Sequence, residues 1–237
     1  MPPALTIVPI GGIGEVRPGD ELAELIIDAA TAQQTPIANG DCLVVTQKIV
    51  SKAENRLVPL DPLDLDARRR LVESESVRIV RRRGDLTISE TAHGFVCANA
   101  GVDLSNVEEG WAALLPVDAD RSAKHVRDAL RARAGVEVGV VVSDTFGRPW
   151  RQGLTDVAIG VSGIAALIDL RDTTDALGRV LQVTEVAIAD EIASAAELVM
   201  GKATGVPVAI VRGLDASWFG EGSVRQLIRP PGEDLFR

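Results

Sequence analysis

The residues with most to say about chemistry are an acid and a hydroxyl at the end of a dense β-branched run. Val138 to Val142 is that run, and it leads into Ser143-Asp144-Thr145-Phe146-Gly147-Arg148-Pro149-Trp150-Arg151-Gln152-Gly153. A strand buried on both faces would deliver Asp144 and Thr145 at its carboxyl end, where mixed and parallel sheets tend to place function. The loop expected after it carries Arg148 and Arg151, whose planar guanidinium groups suit carboxylates or phosphates. A strand end with an Asp cap is the plainer alternative.

Three other stretches could add to such a site. Asn99-Ala100-Gly101-Val102-Asp103-Leu104-Ser105-Asn106 holds a carboxylate and an amide three residues apart among small residues. They could converge on one ligand, and hard cations such as Mg²⁺ and Mn²⁺ want oxygen donors. An Asx-turn capping its own backbone is the alternative. Gln47-Lys48-Ile49-Val50-Ser51-Lys52 follows an apolar run, and a lysine there could reach a phosphate as a point charge or simply be solvated. Gly11-Gly12-Ile13-Gly14 suggests either a tight turn or a phosphate cradle. It fails the dinucleotide fingerprint, because Arg17 stands where the last glycine belongs. Gly201-Lys202-Ala203 likewise fails the Walker pattern, with Ala196 in place of the first glycine, so Lys202 is expected to stand apart from any phosphate. His93 and His125 lie apart, and no Ser/His/Asp spacing is present.

The elements that must position these residues are legible in outline. Leu5–Ile10, Cys42–Thr46, Val138–Val142 and Pro207–Val211 read as strands. Helices are expected over Asp20–Gln34, Leu65–Ser76, Asp120–Ala134 with Gly135 ending it, and Thr184–Met200 closed by Gly201. Gln47 to Arg56 reads as a polar segment. Short strands are expected at Val77–Val80, Leu86–Ile88 and Phe95–Cys97, with Arg81-Arg82-Arg83 as a solvated basic turn or an anion site. Strands and helices mix without regular alternation, which favours α+β over a doubly wound sheet.

Composition narrows the function classes. Apolar residues make up 46% and charged residues 25%, enough for a core and against disorder. The chain carries 25 Lys+Arg against 34 Asp+Glu, a net charge of −9. That balance argues against duplex nucleic acid as a partner, and 3 Trp, 4 Phe and no Tyr argue against a stacking platform. The apolar run Val157–Ile168 is too short to span a bilayer, and residues 1–14 have no basic n-region. Cys42 and Cys97 form no CxxC pair and read as buried free thiols, which suits a reduced, cytoplasmic setting.

Taken in order, Ser51-Lys52-Ala53-Glu54, Asn99 to Gly110, Ser143-Asp144-Thr145-Phe146-Gly147-Arg148, Thr184 to Ala193 and Val211-Arg212-Gly213 resemble the coenzyme F420-0:L-glutamate ligase family, also called F420:γ-glutamyl ligases. The resemblance runs over roughly residues 5–236. It implies an α+β fold peculiar to that group, an intertwined homodimer, and one ligase domain over 1–237 without the nitroreductase-like flavin domain that some relatives append. It further implies a GTP-dependent ligase that adds L-glutamate, and further γ-linked glutamates, to F420-0 with Mg²⁺ or Mn²⁺.

By the same resemblance Ile13, Gly14, Glu15 and Val16 contact GTP, with Lys52 and Asn106 as nucleotide residues. Gln47 stands where the family often has Ser. Asp103, Asp144 and Thr145 match its metal ligands. Some members place a further acidic ligand near residue 203, where this chain reads Gly201-Lys202-Ala203-Thr204-Gly205. The implied dimer needs an apolar surface, for which Val157–Ile168 is one candidate and the monomer core its rival. A ligase of the same fold acting on another carboxylate, or a non-catalytic nucleotide-binding regulator, remains an alternative.

Overall fold

The computed structural model describes residues 4–235. Residues 1–3 of the amino-terminal segment, and Phe236 at the end of the resemblance, lie outside them. In chain order the elements are β1 (Thr6–Ile10), α1 (Leu22–Ala32), β2 (Cys42–Thr46), α2 (Gln47–Ala53), β3 (Leu57–Pro59), α3 (Leu65–Ser74), β4 (Ser76–Arg83), β5 (Leu86–Thr91) and β6 (Val96–Ala98). There follow β7 (Trp111–Ala113), α4 (Ala119–Ala134), β8 (Gly139–Arg148), β9 (Arg151–Ser162), β10 (Ile168–Asp169), β11 (Glu185–Val186), α5 (Ile188–Met200) and β12 (Val208–Arg212). The chain is mixed α+β with several sheets.

The main sheet has the order β1-β12-β2-β8-β9; β2 and β8 pair in parallel and the other neighbours antiparallel. The stretches Cys42–Val45, Val140–Val142 and Val208–Val211 of its central strands are apolar because both faces are covered there. Leu43, Val45, Val140 and Val142 join Ile26 of α1 and Val126 and Leu130 of α4. Cys42, Val44 and Val141 face Ile192, Ala196 and Met200 of α5. Helix α4 starts where the Asp118 carboxylate accepts the Arg121 N–H at 3.0 Å, and ends at left-handed Gly135. Its first turn presses so closely on β9 that a Cβ on Gly160 would stand 2.3 Å from the Ala119 carbonyl. At the end of β12, Arg212 grips the buried Asp41 carboxylate with two contacts of 2.7 Å each. A smaller apolar cluster, with Leu60, Val72, Val102, Ala112 and Leu114, lies under β3, β7 and α3.

Several expectations need correction. The polar segment after β2 is helix α2; its sequence reads as polar because Gln47, Ser51 and Lys52 are buried polar residues. Arg81, Arg82 and Arg83 are the end of β4, and the turn falls at Gly84 and Asp85. Strand β8 does not stop at Ser143. It continues through Arg148 and hairpins into β9, so most of the expected loop is paired strand. Polar residues hid that continuation, since the second half of β8 is less deeply buried. Helix α5 begins at Ile188, after the short strand β11. In Val157–Ile168, Ala158, Ile159, Val161, Ile164 and Ala166 are buried within this chain, so that run is core and not an interface surface.

Candidate functional site

Helix α2 is the hub of the site. The Gln47 amide and the Ser51 hydroxyl both donate to the Leu114 carbonyl, at 3.0 and 2.6 Å, and fasten one side of the helix inward. Residues four apart share a helix face. Lys48 and Lys52 are so spaced, yet each reaches a different loop. Lys48 Nζ lies 2.8 Å from Asp103 Oδ2 and donates to Ser105 Oγ at 2.7 Å. Lys52 Nζ donates to Glu15 Oε1, in the glycine-rich segment after β1.

Within that segment Ile13 packs on the main core and Val16 is buried in it, leaving Gly14 and Glu15 exposed between two anchors. Gly11 N–H is held by Gln33 Oε1 at 3.1 Å, and Gly19 N–H by the Ala53 carbonyl at 2.8 Å. The segment is thus tied to both α1 and α2. Gln47 is 2% exposed and its amide nitrogen is engaged inward, so the structure places it as a strut of α2.

The Asp103 loop is shaped by its own backbone. Asp103 Oδ1 accepts the Ser105 N–H at 2.7 Å, which is the Asx-turn, while Oδ2 remains for Lys48. Asn106 follows in the left-handed region at φ 52° and is exposed. Gly101, at φ +72°, brings the backbone against Leu115, where a Cβ would meet the side chain at 2.6 Å. Burial raises the Asp103 pKa, but hydrogen bonds from Lys48 and Ser105 outweigh it and hold the carboxyl below its ordinary value.

Asp144 and Thr145 are adjacent on β8 and therefore face opposite ways. Their partners divide accordingly. The Thr145 hydroxyl donates to Asp156 Oδ1 at 2.6 Å and accepts from Lys202. Asp156 lies directly across on β9, is 2% exposed, and also accepts from Ser143 Oγ at 3.2 Å. Asp144 Oδ1 accepts the Thr145 N–H at 2.8 Å. Burial, above all, and the charges of Asp103 and Asp156 push the Asp144 pKa up to about 7. Asp103 and Asp156 thus both lie near enough for their charges to act on Asp144, while the Thr145 hydroxyl turns toward Asp156 and Lys202.

The donors are all hard oxygens, and the negative charge around Asp144 is what a divalent cation would relieve, so Mg²⁺ or Mn²⁺ fits them. Among the described residues no group of three or more His, Cys, Asp and Glu could hold a metal ion by itself. Two carboxylates suit Mg²⁺ nonetheless, which usually takes one or two from protein and completes its shell with water and substrate phosphates.

Sequence reasoning missed Asp156, undervalued Lys48 and set Lys202 aside. The usable signal was the four-residue spacing of Lys48 and Lys52; the pairing of Asp156 with Thr145 emerges only from the β8–β9 register. His93 is structural: its Nε2 lies 2.9 Å from the Pro116 carbonyl and its ring stacks on Phe95 at 5.6 Å. Cys42 and Cys97 are buried free thiols. Beside β8, a cleft of about 240 Å³ is lined by Phe95, Phe146, Ile228 and Arg229 among others.

A family model described as F420-0:gamma-glutamyl ligase matches residues 12–213. The chain belongs to the F420-0:gamma-glutamyl ligase family. The span matched to this ligase family includes every residue of the site, from Ile13 to Lys202. The coenzyme F420:L-glutamate ligase of Methanopyrus kandleri is 45% identical, over 99% of this chain and 98% of its own length. That of Methanothermobacter thermautotrophicus is 42% identical over 98% and 99%. The Methanocaldococcus jannaschii ligase of the same name is 43% identical over 86% and 87%. No helix among the described residues is long and apolar enough to cross a membrane.

Proposed function

We propose that this chain is a GTP-dependent ligase that joins L-glutamate to coenzyme F420-0, and further glutamates by γ-linkages, in coenzyme F420 biosynthesis. The observation that carries this reading is the pair Lys48 and Lys52 on one short helix. They tie the exposed Gly14-Glu15 segment to Asp103, beside the charge-strained Asp144. That arrangement suits phosphoryl transfer, which needs positioning and charge neutralisation more than a protein nucleophile.

Amide formation needs an activated carboxyl group. The terminal carboxylate oxygen of F420-0 attacks the γ-phosphorus of GTP, the bond to the GDP oxygen breaks, and an acyl phosphate forms. The glutamate amine then attacks the acyl carbon, loses a proton, and phosphate leaves. Asp103 and Asp144 would hold a Mg²⁺ or Mn²⁺, which would supply charge neutralisation for the phosphoryl oxygens. Lys52 exchanges Glu15 for a phosphate and acts as a point charge. Lys48 fixes the rotamer of Asp103. Backbone N–H groups near Gly14 and the Asn106 amide complete the nucleotide contacts.

The ligase acts as a homodimer in a reduced, cytoplasmic setting. Its dimer surface is the exposed strand β4, since Val157–Ile168 is already consumed by the core. The decisive experiment measures GDP release with purified chain, metal, GTP, F420-0 and glutamate. GDP release that requires both F420-0 and glutamate supports the proposal. No release, or release with a different carboxylate only, overturns it.

A further inference from the structure

Lys202 leaves the C-terminal end of α5 in a glycine-flanked loop. Its ammonium donates to Asp156 Oδ1 at 2.9 Å and to the Thr145 hydroxyl, and lies 3.3 Å from Glu197 Oε1. The Asp156 side chain is 3% exposed and that of Lys202 57%, so a surface lysine reaches in to a buried carboxylate. Two carboxylates and a hydroxyl, from three elements, converge on one positive nitrogen. A divalent cation takes oxygens of the same kind.

Charge balance decides what the ammonium is doing there. The acids that meet Lys48 or Lys202 are Asp103, Asp156 and Glu197. Asp144, next to Thr145 on β8, makes a fourth, and the charges of both Asp103 and Asp156 act on it. Four carboxylates against two ammonium groups leave two negative charges, the charge of one divalent ion. An ammonium offers three donors and no acceptor, so it satisfies Asp156, Thr145 and Glu197 together. A second divalent ion at Asp156 would have to expel it.

We infer that Lys202 is a built-in cation occupying the cation position at Asp156, so that this chain takes a single divalent ion, at Asp103 and Asp144. The inference rests on the metal-dependent reading above. Lys202 is then a positioning residue: it holds Asp156 and Thr145 on the far side of β8, and it leaves the phosphates to Lys52.

The test counts ions. The whole chain is titrated with Mn²⁺ in the presence of guanosine 5′-(β,γ-imido)triphosphate, and free Mn²⁺ is followed by electron paramagnetic resonance. The expected count is one Mn²⁺ per wild-type chain and two for Lys202→Glu, which removes the ammonium and adds a carboxylate beside Asp156. A count of two in the wild type overturns the inference, as does a folded Lys202→Glu protein that still binds one. A wild-type count of zero would overturn the metal-dependent reading itself, so the two failures are distinguishable.

Discussion

Lys48 Nζ lies 2.8 Å from Asp103 Oδ2 and so joins the helix after β2 to the loop after β6. Both side chains are partly open to solvent, at 17% and 34%. A pair of that exposure contributes about 0–1 kcal/mol to stability, so its consequence is geometric. It fixes one carboxylate oxygen of Asp103 while the Ser105 N–H fixes the other. With both oxygens engaged, the Asp103 carboxylate is held in one orientation.

Asp144→Asn removes charge at that point and keeps shape. The Asn Oδ1 can still accept the Thr145 N–H, so the fold is expected to hold. Loss of one preorganised electrostatic group costs roughly 100- to 1000-fold in rate, and turnover should fall at least that far. Mn²⁺ affinity should fall with it. Calorimetry that finds wild-type Mn²⁺ affinity in a folded Asp144→Asn protein would remove Asp144 from the ligand set.

Lys52→Ala tests the phosphate assignment. Losing a charged hydrogen bond costs roughly 1.5–3 kcal/mol. At about 1.4 kcal/mol per decade, GTP binding should weaken by one to two orders of magnitude. Lys202→Ala, measured at saturating Mg²⁺, should change GTP affinity far less. A large loss at Lys202 with none at Lys52 would move the phosphates to the other side of β8.

The central strands and long helices were legible because burial on two faces leaves continuous apolar runs, and an amphipathic stripe marks α4. What was not legible is instructive. Helix α2 hid because three of its five buried residues, Gln47, Ser51 and Lys52, are polar, with partners at Leu114 and Glu15 far off in sequence. The second half of β8 hid because Ser143, Asp144 and Thr145 break the apolar pattern while still pairing with β9. Asp103, Asp144 and Thr145 were singled out from sequence, but the partners of Asp144 and Thr145 on the two faces of β8 follow from pairing that no local spacing reveals. Asp156 hid as the mere edge of an apolar run.

Strand β4 carries the prediction about assembly. Seven of its eight residues are exposed, with Val77 at 70% and Val80 at 45%. As the edge of the β4-β5-β6 sheet it leaves apolar side chains and an unpaired backbone edge without a cover, which marks an association surface. Val80→Asp should therefore shift the expected dimer to monomer in light scattering while the circular dichroism spectrum stays unchanged. A wild-type monomer at micromolar concentration, or a Val80→Asp protein that remains dimeric, would rule this surface out.

Asp190 makes the pH prediction, away from the site. It sits in the first turn of α5, and its Oδ1 accepts the Ala158 N–H at 2.9 Å. Burial raises its pKa above the ordinary 3.8, and the Ala158 hydrogen bond only partly offsets that. The helix N-terminus favours negative charge by about 0.3–1 kcal/mol, so two effects oppose each other and burial wins. A raised folded-state pKa means that the folded chain holds this proton more tightly than the unfolded chain. Its contribution to stability is then greatest below about pH 4 and declines as pH rises through the folded pKa. Asp190→Asn keeps the Oδ1 acceptor and removes the ionisation. The variant should gain thermal stability relative to wild type as pH is raised from about 3.5 to 7, with the two nearly matched at the acid end. Melting curves across that range decide it: a variant that instead loses ground as pH rises would mean that the helix terminus, not burial, governs Asp190.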